Sequence, residues 1–174
     1  PLFHIGGLNV MTLHSFHVGS TLVLLRNFDP ALVLENFERH RVTHMFGAPA
    51  MFLFMSQQPQ FADTDLSSIK TIICGAAPVP ESLIELWGAR GVSFCQGYGL
   101  TETAPFSAFL PPEWAVSKLG SAGQPPIFSD TRIVNTENQP VACGERGEIC
   151  LRGPNIMKGY WNRPDATAAA IDSE

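Results

Sequence analysis

The sequence predicts an α/β fold: a parallel sheet with flanking helices, followed by a small antiparallel β unit. Three observations carry this. Before residue 100, apolar runs of strand length alternate three times with helical segments across short connections, the pattern of a parallel sheet covered by helices. Beyond about residue 110 helical spacing vanishes, and polar–apolar alternation replaces it, as in half-buried strands. Hydrophobic residues make up 45% of the 174 and charged residues 16%, which supplies a core and argues against disorder. The expected division is 1–110 for the α/β part and 111–174 for the β unit.

The elements follow in order. Residues 1–7 read as a loop, and residues 9–16 have weak helical spacing. Residues 21–25, Thr-Leu-Val-Leu-Leu, form a continuous apolar run, expected as a strand covered on both faces. Asp29 and Pro30 supply a cap and a first-turn proline for a helix through Leu32, Leu34, Phe37 and His40. Residues 42–46 read as a strand, and Ala48-Pro49 opens a helix to about Gln57. Residues 69–74 form the next strand. Pro80 opens a helix through Leu83, Ile84 and Trp87, and residues 92–95 are again a strand. Residues 131–134 and 148–152 are the alternating strands of the β unit, with a turn-rich segment between them. Arg163-Pro164-Asp165 then starts a short alanine-rich helix, with the chain ending at Asp172-Ser173-Glu174.

Composition excludes several function classes. The net charge is −5 with no Lys/Arg run, so nucleic acid is not an expected partner. The four cysteines, Cys74, Cys95, Cys143 and Cys150, form no C-x-x-C pair, so a reduced, cytoplasmic protein is expected instead of a disulfide framework. The longest apolar run, residues 18–25, is too short to cross a bilayer, and no transmembrane segment is expected. His14, His17, His40 and His44 lack metal spacing beside a carboxylate.

The stretch richest in chemistry is Gln96-Gly97-Tyr98-Gly99-Leu100-Thr101-Glu102-Thr103. Its glycines permit close backbone approach, and Tyr98 offers a flat face with a polar tip. Thr101 and Glu102 set a hydroxyl beside a carboxylate, which suits a phosphate oxygen and its divalent cation. The same residues also suit a strand-to-helix turn in which Tyr98 packs and Thr101 caps a helix. Gly75-Ala76-Ala77-Pro78 follows Cys74 on what should be the same sheet edge, and ligands bind at the carboxyl ends of such strands. Met45, Phe46, Met51, Phe52, Phe54 and Trp87 suit either an apolar tunnel or a core.

QGYGLTET, GAAPVPESL, the opening PLFHIGG and GEICLRGPNIMKGYWNRPDAT together resemble the adenylate-forming ligases, and within them the acyl-CoA synthetases. The resemblance extends over essentially the whole chain. It implies that a carboxylate attacks the α-phosphate of ATP, giving acyl-AMP and pyrophosphate, after which coenzyme A thiol displaces AMP. It also implies that residues 111–174 are part of a small β-barrel. Carried over by position, Tyr98 is the adenine partner, Thr101 the phosphate-side hydroxyl and Glu102 the Mg2+ carboxylate. Gly75, Ala76 and Ala77 line the adenine and the acyl channel with backbone groups, and Pro78, Gln96, Gly97 and Gly99 join Tyr98 in binding the nucleotide. His4 matches the histidine that gates or lines the acyl site.

His4-Ile5-Gly6-Gly7 offers no acid to hold an amino group, which favours a simple carboxylic acid, and the apolar runs around it suggest a fatty or aryl one. A fatty acid is expected, with an amino-acid- or aryl-acid-adenylating enzyme the alternative within the family. A flavodoxin-like module that binds a ligand or protein without catalysis is the alternative from another class. The resemblance further implies that the phosphate loop, the ribose-binding Asp and the adenylation lysine lie outside this stretch. The isolated chain is therefore expected to form no acyl-adenylate and to bind nucleotide weakly. ATP–pyrophosphate exchange above background by the purified chain would contradict this.

Overall fold

The computed structural model describes residues 1–172; the last two positions of the expected second unit, 173 and 174, lie outside them. Four strands, β1 (His44–Gly47), β2 (Thr71–Gly75), β3 (Phe94–Gly99) and β4 (Phe106–Phe109), form one sheet in the order β1-β2-β3-β4. The first three are parallel, with Met45 opposite Ile72 and Ile73 opposite Cys95. The fourth runs antiparallel to β3, pairing Tyr98 with Ala108.

One face of this sheet is covered by α2 (Pro30–Arg39), α3 (Pro49–Ser56) and α4 (Glu81–Gly88). Asp29 starts α2 by accepting the Ala31 and Leu32 amides at 3.0 and 3.1 Å, satisfying donors that have no partner within the helix. The helix buries Val33, Leu34 and Phe37 at helical spacing. Proline in the first turn of α3 and Pro80 before α4 set the entry of the other two. Trp87 sits at the centre, edge-on to Phe52, Phe61 and Phe94 at centroid distances of 5.6, 4.9 and 5.7 Å. Phe52 and Trp87 are thus core residues, not tunnel walls. The opposite face carries a wide π-type helix, Gly6–Thr12, continued by α1 (Leu13–His17).

Three expectations are corrected. Residues 21–25 form no strand: the segment runs without a ladder partner, and Leu24 is exposed while Leu25 packs on the core. An apolar run fits a covered strand and a half-buried connection equally, and only pairing separates them. The loop expected over 1–7 gives way at Gly6 to the π-type helix. Gln96, Gly97, Tyr98 and Gly99 are not a connection after the strand but its continuation, because β4 folds back to pair with them.

The later part holds β5 (Asp130–Val134) and β6 (Glu148–Arg152), antiparallel in the expected places, and α5 (Pro164–Ala170). Two strands do not close a barrel. Their connection is exposed and self-bonded, with Asn135 Oδ1 accepting the Glu137 and Gln139 amides, both at 2.9 Å. No helix among the described residues is long and apolar enough to cross a membrane.

Trp87→Ala is expected to cost about 3–5 kcal/mol by opening the aromatic cluster. The exposed Trp161→Ala should stay within about 0.5 kcal/mol of the parent. Urea unfolding midpoints compare the two, and equal shifts would contradict the packing described.

Candidate functional site

The connections leaving β2 and β3 meet at the carboxyl edge of the sheet, over a cavity of about 320 Å³. His4, Gly75, Ala76, Gly97, Tyr98, Gly99, Thr101 and Glu102 all line it, with Phe46 and Phe106 as apolar walls. Among the residues singled out from sequence, Ala77, Pro78 and Gln96 are not in the lining. Ala77 and Pro78 are exposed beyond the rim. Gln96 is buried on the Tyr98 side of β3, and its Nε2 finds no hydrogen-bond partner.

The cavity exists because side chains are absent where the strands converge. A Cβ on Gly75 would stand 2.7 Å from the Gly97 carbonyl oxygen, and one on Gly97 would stand 2.9 Å from the Phe106 ring. Both distances are closer than real contacts, so backbone alone forms this floor. Ala76 follows in the left-handed region at φ 70°, an uncommon conformation for a residue with a Cβ and one that clusters at functional sites.

The polar groups are fixed from several directions. His4 Nδ1 accepts the Gly6 amide at 3.1 Å, which puts the proton of the neutral ring on Nε2. Thr101, Glu102 and Thr103 form one 3₁₀ turn whose cap position is Leu100, so Thr101 is not a helix cap. The capping role belongs to Thr103, whose hydroxyl accepts the Leu100 amide at 3.0 Å and donates to the Pro105 carbonyl at 2.6 Å. Glu102 Oε1 accepts the Tyr160 hydroxyl at 2.7 Å, and the Met157 amide donates to the Glu102 carbonyl at 2.9 Å.

Residues 1–161 match the AMP-binding enzyme family. The chain belongs to the AMP-binding enzyme family. It is 44% identical over 171 residues to a feruloyl-CoA synthase of Amycolatopsis sp, covering 98% of this chain and 35% of that protein. It is 35% identical to the long-chain-fatty-acid–CoA ligase of Bacillus subtilis (strain 168), covering 98% of this chain and 31% of the other. The chain thus spans about a third of the length of these curated relatives. Among solved structures, the inhibitor-bound N-terminal domain of FACL13 from Mycobacterium tuberculosis superposes with a TM-score of 0.92 at 35% identity, covering 99% of this chain and 43% of that one. O-succinylbenzoate coenzyme A synthetase (MenE) from Bacillus subtilis, in complex with ATP and magnesium ion, does so with 0.86 at 35%, covering 99% and 35%. The α/β fold is therefore that of an acyl-CoA synthetase N-terminal domain, and the flavodoxin-like alternative falls away.

Within this chain the residues that sequence reasoning missed are Tyr160 and Asn155. Asn155 Nδ2 donates to the Thr103 carbonyl at 2.8 Å and to the Phe106 carbonyl at 3.2 Å. Both lie within the GPNIMKGYWNRP stretch that marks the family, but a motif does not reveal partners 52 positions away, as for Asn155 and Thr103, or 58, as for Tyr160 and Glu102.

Electrostatically, the Tyr160 hydroxyl holds the Glu102 carboxyl below the usual range, helped by a backbone hydrogen bond and opposed by slight burial. The same bond pushes the Tyr160 hydroxyl up, so an ionised carboxylate faces a protonated phenol at neutral pH. Burial pushes the Cys74 thiol up to about 12, and burial with the Glu113 charge pushes Cys95 up to about 11. Neither thiol is a nucleophile at neutral pH. Among the described residues no three His, Cys, Asp or Glu side chains gather around a metal site. One carboxylate beside one hydroxyl at a cavity rim nevertheless fits Mg2+, which keeps waters and takes phosphate oxygens as its other ligands.

Because the folded Glu102 carboxyl is lowered, its bond to Tyr160 stabilises the fold above the ordinary carboxylate range and is lost as pH falls through the lowered value. Tyr160→Phe is expected to raise the Glu102 midpoint toward the ordinary value in a 13C NMR titration of its carboxyl carbon. Identical midpoints would contradict this bond.

Proposed function

We propose that the whole protein is an AMP-forming acid–thiol ligase. A carboxylate oxygen bonds to the α-phosphorus of ATP and expels pyrophosphate; the thiolate sulfur of coenzyme A then bonds to the acyl carbon and expels AMP. The observation that supports this best is the convergence of His4, Tyr98, Thr101 and Glu102 on one cavity at adjacent strand ends. The face of Tyr98 carries the adenine, against the backbone of Gly75 and Ala76, with Ala77 and Pro78 continuing that loop outside the rim. Gly97 and Gly99 complete that wall, and Gln96 packs behind it within the sheet. Thr101 donates its hydroxyl to a phosphate oxygen, and Glu102 would hold Mg2+ through its carboxylate. When bound, that ion supplies neutralisation of the phosphate charge. His4 stands at the acyl side, its Nε2 proton available to orient the carboxylate. The chain's work is positioning and electrostatic, and none of its side chains becomes a nucleophile.

The acid is proposed to be an apolar carboxylic acid. Phe46 and Phe106 beside His4 support it, and the absence of an acid in residues 4–7 speaks against an amino acid. The likenesses to a feruloyl-CoA synthase and a long-chain-fatty-acid–CoA ligase support an aryl and a fatty acid respectively. The boundary near residue 110 and the membership of β5 and β6 in a small barrel belong to the same proposal.

Glu102→Gln in the whole protein is expected to lower ATP–pyrophosphate exchange by at least about 100-fold, the rate equivalent of about 3 kcal/mol. The KM for the acid should stay within about twofold, because uniform binding is untouched. Exchange at the parent rate in this variant would refute the role given to Glu102.

A further inference from the structure

The acidic rim of the cavity is held by a segment from the far part of the chain. Between residues 155 and 160 three donors reach one turn: Asn155 Nδ2 to the Thr103 carbonyl, Met157 N to the Glu102 carbonyl, and Tyr160 Oη to the Glu102 carboxylate. Two of the three end on Glu102 itself, one on its backbone and one on its side chain.

Tyr160 is not placed there by burial. The residue is 40% exposed, so the hydrophobic effect gives little reason for its orientation. Local bonds fix it instead. The Tyr160 amide donates to Thr167 Oγ1 at 2.9 Å, the Thr167 hydroxyl donates to the Arg163 carbonyl at 2.9 Å, and the Arg163 amide returns to the Tyr160 carbonyl at 3.1 Å. Gly159 permits this closure. Its φ is 145°, and a Cβ there would stand 2.8 Å from the Thr167 methyl. The phenol is therefore presented to the carboxylate by a hydrogen-bonded ring closed through the Thr167 hydroxyl and by a glycine that no larger residue replaces.

We propose that Tyr160 is a positioning residue for the ligase reaction: its hydroxyl engages Oε1 of Glu102 and commits the remaining carboxylate oxygen to the divalent cation. The inference rests on the reading of Glu102 as the cation ligand. A carboxylate on a short exposed turn otherwise samples several rotamers, and each would have to be lost on binding the ion. The Met157 bond removes that freedom from the backbone, and the Tyr160 bond removes it from the side chain. Outer partners of this kind orient metal ligands and tune affinity without touching the metal.

The test uses the whole protein with Mn2+ as probe, its binding read by electron paramagnetic resonance in the presence of α,β-methylene-ATP. Tyr160→Phe is expected to weaken Mn2+ binding about 3- to 10-fold, the range for losing one hydrogen bond to a charged group at a partly exposed site. The KM for the acid should be unchanged, and the unfolding midpoint should fall only by the loss of the one exposed Tyr160–Glu102 hydrogen bond. The Tyr160→Phe/Glu102→Gln double variant should bind Mn2+ no worse than Glu102→Gln alone, since residues acting through one another are not additive. Unchanged Mn2+ affinity in Tyr160→Phe, with Glu102→Gln weakened, would overturn the proposal and leave the Glu102 role standing. Unchanged affinity in Glu102→Gln would overturn the reading of Glu102 and this inference with it. Should Tyr160→Phe lower the unfolding midpoint further, the cycle run below that temperature still decides: an additive loss overturns the proposal.

Discussion

The architecture of the site depends on how closely β2 and β3 approach at their carboxyl ends. Gly75 lies against the Gly97 carbonyl with no room for a methyl group, so the two strands arrive at the cavity as bare backbone. Everything polar is then set around that floor. His4 comes from the segment before the π-type helix, Tyr98 from the last turn of the strand, and Thr101 and Glu102 from the turn that follows. Side chains at positions 75 and 97 would fill the space in which these groups face one another.

That floor holds its shape because the other face of the sheet is packed without slack. Ile72, Cys74 and Phe94 are fully buried beneath α2, α3 and α4, and the edge-to-face rings around Trp87 fix the spacing between helices and strands. The rigid layer and the polar edge thus belong to the same three strands. Residues alternate along them between a face that stabilises and a face that holds the cavity.

Much of this was legible in the sequence, and what was not has a physical reason. The Asp29-Pro30 start of α2, the apolar run of β2 and the proline before α4 are local signals, and each appears where it was read. β4 escaped because Phe106-Ser-Ala-Phe109 is short and flanked by prolines, and only its pairing with β3 makes it a strand. The run at 21–25 misled for the converse reason: it has strand composition but no partner strand. At the site, the aromatic, hydroxyl and carboxylate of residues 98–102 were visible because they adjoin in sequence. The hydrogen bond from Tyr160 was invisible because its distance in sequence, 58 positions, carries no record of distance in space.

The cysteines carry a practical consequence. Cys74 and Cys95 are sealed in the core, and Cys150 is half-buried on β6, whereas Cys143 stands exposed in the self-bonded connection between β5 and β6. A thiol-directed dye at neutral pH will therefore meet Cys143 first, on a turn outside the cavity lining. This stretch of chain thus carries its own attachment point for a fluorescent reporter.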